Sequence, residues 1–188
     1  FIGVGLSKSK DINIEGRDLN GVESALSFLA NARSSNGKIE IGDNVVVIGL
    51  GDVALDCATT ARQLSKGKVS IVYRRSIEES PAHSSELHYA QSMGIPIYTE
   101  FAPERILGEN NKVVGLVCKS RDGYSEMKLK ADHIIFAIGQ EASEEYKNYA
   151  IEEGVFAAGD FINGGKTVVE AVAEGKESAE KIISYLNK

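Results

Sequence analysis

Asn44-Val45-Val46-Val47-Ile48-Gly49-Leu50-Gly51-Asp52-Val53-Ala54 is the stretch on which the fold turns. Its first five residues are a short β-branched run, the pattern of a strand buried on both faces of a parallel sheet. Two glycines follow at once, and a helical pattern opens at Asp52. That is the context in which a G-x-G-x-x-G/A match carries weight. Gly49 permits a tight turn, Gly51 lets backbone approach a pyrophosphate, and Ala54 is small enough for helix and strand to pack closely. The unpaired N–H groups where Asp52 and Val53 start the helix supply an anion site at the positive end of its dipole.

Reading outward, the helix 52–65 carries Val53, Ala54, Cys57, Ala58, Ala61 and Leu64 on one stripe, and Gly67 suits its exit. A second strand, Val69–Tyr73, ends in Arg74-Arg75-Ser76. A site for NAD usually places Asp or Glu there, about twenty residues after the glycines, to accept from the ribose 2′-hydroxyl. Here no carboxylate comes before Glu78. Guanidinium groups bind a 2′-phosphate through charge-assisted, often bidentate, hydrogen bonds, so the expected ligand is NADP(H).

The flanks extend the pattern. Phe1–Gly5 reads as a strand and turn, and Gly21–Ala32 as a helix with Val22, Ala25, Leu26 and Leu29 on one face. A helix from Ala82 to Met93 feeds a strand Ile95–Thr99, giving a second parallel crossover. Three short strands follow (Arg105–Leu107, Lys112–Lys119, Tyr124–Leu129), joined by Asn110-Asn111 and Asp122-Gly123. This meander precedes another sheet strand, His133–Ala137. A polar connector fills 141–153, then come a strand Val155–Ala158 and a helix Thr167–Leu186. That helix repeats Val168, Val172, Ala179, Ile182, Ile183 and Leu186 at helical spacing, as expected for packing against a domain.

Composition narrows the classes. The chain of 188 residues is 43% hydrophobic and 26% charged, ordinary for a globular protein with a substantial core. A net charge of −6 and the lack of a basic stripe argue against nucleic acid, and no apolar run is long enough for a membrane span. A cytoplasmic location is expected. The N-terminus lacks the basic flank of a signal peptide and does not begin with Met, so the chain reads as starting inside a longer protein. Cys57 and Cys118 form no C-x-x-C, which leaves thiol redox, zinc and iron–sulfur readings unsupported. His83, His88 and His133 lack the i, i+4 spacing of a helical metal pair. Tyr124 and Lys128 have the spacing of a dehydrogenase Tyr-x-x-x-Lys but lie in an alternating stretch, where they would not share a helix face.

Taken in order, several pieces resemble one family. Phe1–Leu6, Gly21–Ala25, the Gly49–Asp56 loop, Tyr73–Ser76, Ala137–Gln140 and Gly154–Asp160 are similar to the C-terminal two-thirds of the two-dinucleotide-domain flavoprotein reductases, most closely the glutamate synthase small (β) subunit type. The resemblance implies an α/β fold: a Rossmann-like parallel sheet with an inserted antiparallel β-meander, plus C-terminal pieces of an FAD-binding domain. It implies a division into 1–40 (FAD-domain piece and connector), 41–140 (NADP(H)-binding domain) and 141–188 (connector and C-terminal FAD-domain strand and helix). It also implies hydride transfer from NADPH to FAD and onward to an electron-acceptor subunit or domain. By the same resemblance Gly159 and Asp160 would meet the flavin, with Asp160 on the ribityl chain. Thr167 and Val168 would face the flavin pyrimidine, and Ile138 and Gly139 would run beside the nicotinamide. The family's N-terminal FAD glycine motif is absent from these residues, and the 140–154 connector is shorter than the family pattern. The expectation is therefore a chain that binds NADP(H) and, alone, retains FAD poorly. The competing expectation is an NADP(H)-binding module without catalysis of its own, since no side chain is an obvious acid, base or nucleophile.

Overall fold

β1 (Lys8–Ser9) and β2 (Val22–Ser24) come first, followed by α1 (Ala25–Ser34). The computed structural model describes residues 1–147 and 152–187. The glycine stretch forms β3 (Asn44–Ile48) and α2 (Asp52–Leu64), then β4 (Lys68–Tyr73). A single 3-10 turn (Ile77–Glu79), α3 (Ser84–Ser92) and β5 (Ile97–Thr99) complete the second crossover. The meander is β6 (Phe101–Glu109), β7 (Lys112–Ser120) and β8 (Glu126–Lys130), after which β9 (His133–Phe136) returns to the first sheet. β10 (Gln140–Glu141), α4 (Glu144–Lys147), α5 (Asp160–Asn163) and α6 (Val168–Leu186) end the chain.

Two units result: Asp11–Gly139, and a smaller one made of Phe1–Lys10 with Gln140–Lys188. In the larger unit five strands pair in parallel in the order β2-β9-β3-β4-β5. The central strands β3 and β9 are buried on both faces, which explains their continuous apolar runs at 45–48 and 134–136. On one face Val45, Val47 and Ile71 pack with Phe28 of α1 and with Ala54, Cys57, Ala58 and Ala61 of α2. On the other, Val46, Ile48, Val72, Ile134 and Phe136 pack with Ile106, Val113, Leu116 and Cys118 of the antiparallel meander. Arg17 caps this second layer, its guanidinium 4.6 Å from the centre of the Phe136 ring.

The nucleotide-type crossover and the meander form where the sequence places them. Asn110 and Asn111 both take positive φ (50° and 61°), as a two-residue hairpin turn demands. Three expectations need correction. The helix expected from Gly21 starts only at Ala25, because Val22–Ser24 pairs with β9 and Ser24 caps the helix by accepting from Ser27 N–H at 3.3 Å. The buried face of α1 is accordingly Ala25, Phe28 and Ala32. β2 and α1 both belong to the larger unit. The strands expected at Phe1–Gly5 and Val155–Ala158 reduce to one parallel bridge, Ile2 with Ala157. Left-handed backbone at Gly5, Gly154 and Gly159 bounds the two segments. Finally, the apolar stripe of α6 is largely exposed: Val168 is 80% exposed, Ile183 59% and Leu186 74%. Residues 148–151 of the expected connector lie outside the described residues.

Candidate functional site

In a parallel sheet every strand ends on the same edge, and ligands bind there at the point where strand order reverses. Chain order runs β3, β4, β5 to one side, while β9 lies on the other side of β3. The reversal falls between β3 and β9. Gly49 ends β3, and Ala137, Ile138 and Gly139 follow β9, so both segments lie at that switch.

The two glycines serve different ends. At Gly49 φ is +128°, and a Cβ would lie 2.1 Å from the Ala137 carbonyl oxygen. The close approach of β3 to β9, locked by Ala137 N–H donating to Ile48 O (2.8 Å), requires glycine there. Gly51 is the N-cap of α2 with an ordinary extended φ of −97°. A Cβ on it would make only an ordinary contact, 3.6 Å from Pro81 Cγ. No side chain caps the helix at this position. The N–H groups of Asp52 and Val53 precede the first intrahelical donors and so face outward. Bare glycine beside unpaired amides is a cradle that fits a pyrophosphate, and the protein's own packing does not need it. Ala54 is fully buried, as close packing of α2 demands.

Asp52 offers its N–H at the helix start. Its carboxylate accepts from His83 N–H at 3.2 Å. Ser80 hydroxyl donates to the Leu50 carbonyl at 2.5 Å, so the segment after β4 is tied down over the glycine turn. Neither tether is visible as a local pattern, because each spans about thirty residues and joins a side chain to backbone.

Arg74 and Arg75 follow β4 directly, and both are exposed. Neither guanidinium has an ion pair with a carboxylate of the described residues within 4.0 Å. Glu78 and Glu79 lie in the next turn. Ser76 holds the Glu78 carboxyl below its ordinary range. Ser76 N–H and the Arg121 guanidinium do the same for Glu79, with a smaller pull from Arg75.

The smaller unit holds a separate group. Gly159 (φ +72°) donates its N–H to Glu174 Oε2 at 2.7 Å, and Asn163 Nδ2 donates to Glu174 Oε1 at 2.9 Å. Asp160 accepts from Lys166 N–H at 3.0 Å. Thr167 is the N-cap of α6, accepting from Glu170 N–H while Glu170 Oε2 accepts from Thr167 N–H. This capping box leaves the N–H groups of Val168 and Val169 at the helix start without an intrahelical partner.

Other residues do not converge. Cys57 and Cys118 are fully buried on opposite faces of the sheet, each pushed up to about 12 by burial. They can neither pair nor act as thiolates in the folded chain. His133 bonds Glu23 at 2.8 Å, and no cluster suited to a metal occurs among the described residues. Tyr124 stands 92% exposed in a turn, and Lys128 pairs with Glu126 on β8. No helix among the described residues is long and apolar enough to cross a membrane.

Comparison with known proteins places this geometry. The family profile "Pyridine nucleotide-disulphide oxidoreductase" matches residues 1–152. The chain is 37% identical over 99% of its length to the NAD-dependent dihydropyrimidine dehydrogenase subunit PreT of Escherichia coli (strain K12), covering 47% of that protein. It is 30% identical over its full length to the glutamate synthase [NADPH] small chain of Halomonas elongata, covering 49% of it. The chain thus spans about half the length of the curated relatives it matches. Its fold is that of T. acidophilum thioredoxin reductase, with a TM-score of 0.76 at 19% identity, over 100% of this chain and 65% of that one.

Proposed function

The chain belongs to the pyridine nucleotide-disulphide oxidoreductase family, and from that footing we propose that it is the NADPH-binding portion of a flavin-dependent oxidoreductase. In its full-length context it passes a hydride from NADPH to FAD, as a glutamate synthase small-subunit-like electron donor to an acceptor subunit or domain. A cytoplasmic setting belongs to the same proposal.

One observation carries the choice of nucleotide. Two exposed guanidiniums end β4, and the carboxylates of the following turn are drawn into hydrogen bonds with Ser76 and Arg121. Such an edge favours a dianionic 2′-phosphate over a 2′-hydroxyl. Gly51 and the N–H groups of Asp52 and Val53 would hold the pyrophosphate. Ile138 and Gly139, at the switch point, would carry the backbone past the nicotinamide. Asp160, Thr167 and Val168 would hold the flavin side. When bound, the flavin supplies the two-electron acceptor for the nicotinamide hydride. The chain's own contribution is positioning and charge, since neither cysteine can exchange a disulfide from inside the core.

Titration calorimetry of the purified chain with NADPH and NADH tests this. The expected result is preference for NADPH, and equal affinity would overturn it. A nucleotide-binding module without chemistry is the competing reading, favoured by the two inert thiols. Added FAD with NADPH separates the two: bleaching of the flavin band supports the oxidoreductase, while tight nucleotide binding without bleaching supports the module.

A further inference from the structure

Glu79 is the carboxylate that feels Arg75, and its oxygen Oε2 is engaged twice. It accepts from Ser76 N–H at 3.0 Å and from Arg121 Nη1 at 2.7 Å. Arg121 comes from the turn between β7 and β8, 42 residues further along the chain. Two backbone bonds fix that turn against the end of β4. Arg121 N–H donates to Glu100 O at 2.7 Å, and Glu100 N–H donates to Arg75 O at 3.0 Å. The result is a closed ring through Arg75, Glu100, Arg121, Glu79 and Ser76. Glu100 holds a φ of +62° within it, a conformation that non-glycine residues rarely adopt. The meander is thereby bonded directly to the strand end that carries the arginine pair.

Resting on the reading of that strand end as a 2′-phosphate site, we propose that Arg121 is a specificity-determining positioning residue. Its guanidinium holds and neutralises the Glu79 carboxylate, so that the edge accepts a phosphate monoester dianion on the adenosine ribose. Released from Arg121, Glu79 keeps only its bond from Ser76 N–H, and its charge near Arg75 is no longer neutralised. It then repels the dianion and can accept from a free 2′-hydroxyl, the role an acidic residue plays in NAD sites. Arg121 therefore acts through Glu79 and makes no contact with the nucleotide itself.

The test is titration calorimetry of the 188-residue chain with NADP+ and NAD+, for the wild type, Arg121→Ala, the double variant Glu79→Gln/Arg121→Ala, and Arg74→Ala/Arg75→Ala. A freed charge near a dianion at a solvated edge should weaken NADP+ about three- to tenfold in Arg121→Ala, with NAD+ unchanged or tighter. The double variant should regain wild-type NADP+ affinity, a rescue that a merely structural role does not produce. Unchanged NADP+ affinity in Arg121→Ala, equal loss for both nucleotides, or a double variant as weak as Arg121→Ala each overturns the inference. The arginine-pair variant tells this apart from the underlying reading. If it loses no NADP+ affinity, the 2′-phosphate site itself falls and takes the inference with it. If it loses affinity while Arg121→Ala does not, only the role of Arg121 falls.

Discussion

Replacing each glycine of the turn by alanine should separate folding from binding. In Gly49→Ala the new Cβ would stand 2.1 Å from the Ala137 carbonyl oxygen and 2.8 Å from its carbon, with φ held at +128°. Backbone cannot rotate out of the way as a side chain can, so the ends of β3 and β9 must part. That puts at risk Ala137 N–H to Ile48 O (2.8 Å) and Gly49 N–H to Val72 O (2.9 Å). Strained φ costs about 1–3 kcal/mol. Losing one or two backbone bonds adds about 0.5–1.5 kcal/mol each. The expected destabilisation is therefore about 1.5–6 kcal/mol, a large part of the total for a domain of ordinary stability. Gly51→Ala is the control. Its φ of −97° suits any residue, and Pro81 Cγ lies at an ordinary 3.6 Å, so its stability should stay within about 1 kcal/mol of the wild type. Its NADPH affinity should nevertheless drop, because the methyl group fills the cradle. Urea unfolding followed by circular dichroism measures the first effect, and calorimetry the second. A Gly49→Ala midpoint equal to wild type, or a Gly51→Ala variant that binds NADPH normally, would refute the division of roles.

Asp132 joins the starts of β3 and β9, its Oδ1 accepting from Asn44 N–H at 2.6 Å and its Oδ2 from the Asn44 amide at 3.1 Å. Burial disfavours its charge, but the hydrogen bonds from Asn44 and Asp43 outweigh burial and hold its pKa below the ordinary value. A depressed folded-state pKa means the stabilisation is present above the unfolded value of about 3.9 and lost as pH falls through the folded one. Asp132→Ala should cost about 1 kcal/mol at neutral pH and flatten the acid limb of stability, as read by urea midpoints at pH 7 and pH 3. Both thiols should resist a thiol-specific disulfide reagent in the native chain and react fully in denaturant; rapid native labelling of Cys57 or Cys118 would contradict their burial. The chain alone should purify with little flavin, and a yellow preparation with stoichiometric FAD would show that the residues here suffice to hold it.

The crossover was legible because each signal is local. A β-branched run, glycines at fixed offsets and a small-residue helix stripe all lie within 44–73, and the residues pair in the register that this implies. The meander was legible for the same reason, through Asn110-Asn111 and Asp122-Gly123. Val22–Ser24 misled because Val22, Ala25 and Leu29 fit a helical face, while the strand depends on pairing with β9, more than a hundred residues away. The bridge between Ile2 and Ala157 and the bond between Glu79 and Arg121 are likewise long-range and leave no periodic trace. The stripe on α6 showed that one face of that helix is apolar but not what covers it, and within this chain it is largely open. Gly51 marks the boundary of such reasoning: the motif names it, but only the room for a Cβ there, with Pro81 Cγ at an ordinary 3.6 Å, shows that the protein's own packing does not explain it.

The central claim is that the edge after β4 recognises a ribose 2′-phosphate. Side-by-side calorimetry with NADPH and NADH, on the wild type and on Arg74→Ala/Arg75→Ala, tests it most directly. The wild type should prefer NADPH by about 1.5–3 kcal/mol for each charge-assisted hydrogen bond, at least about tenfold, and the double variant should lose that preference while keeping its NADH affinity. A wild type that binds both nucleotides equally, or a double variant that loses both in equal measure, would contradict it.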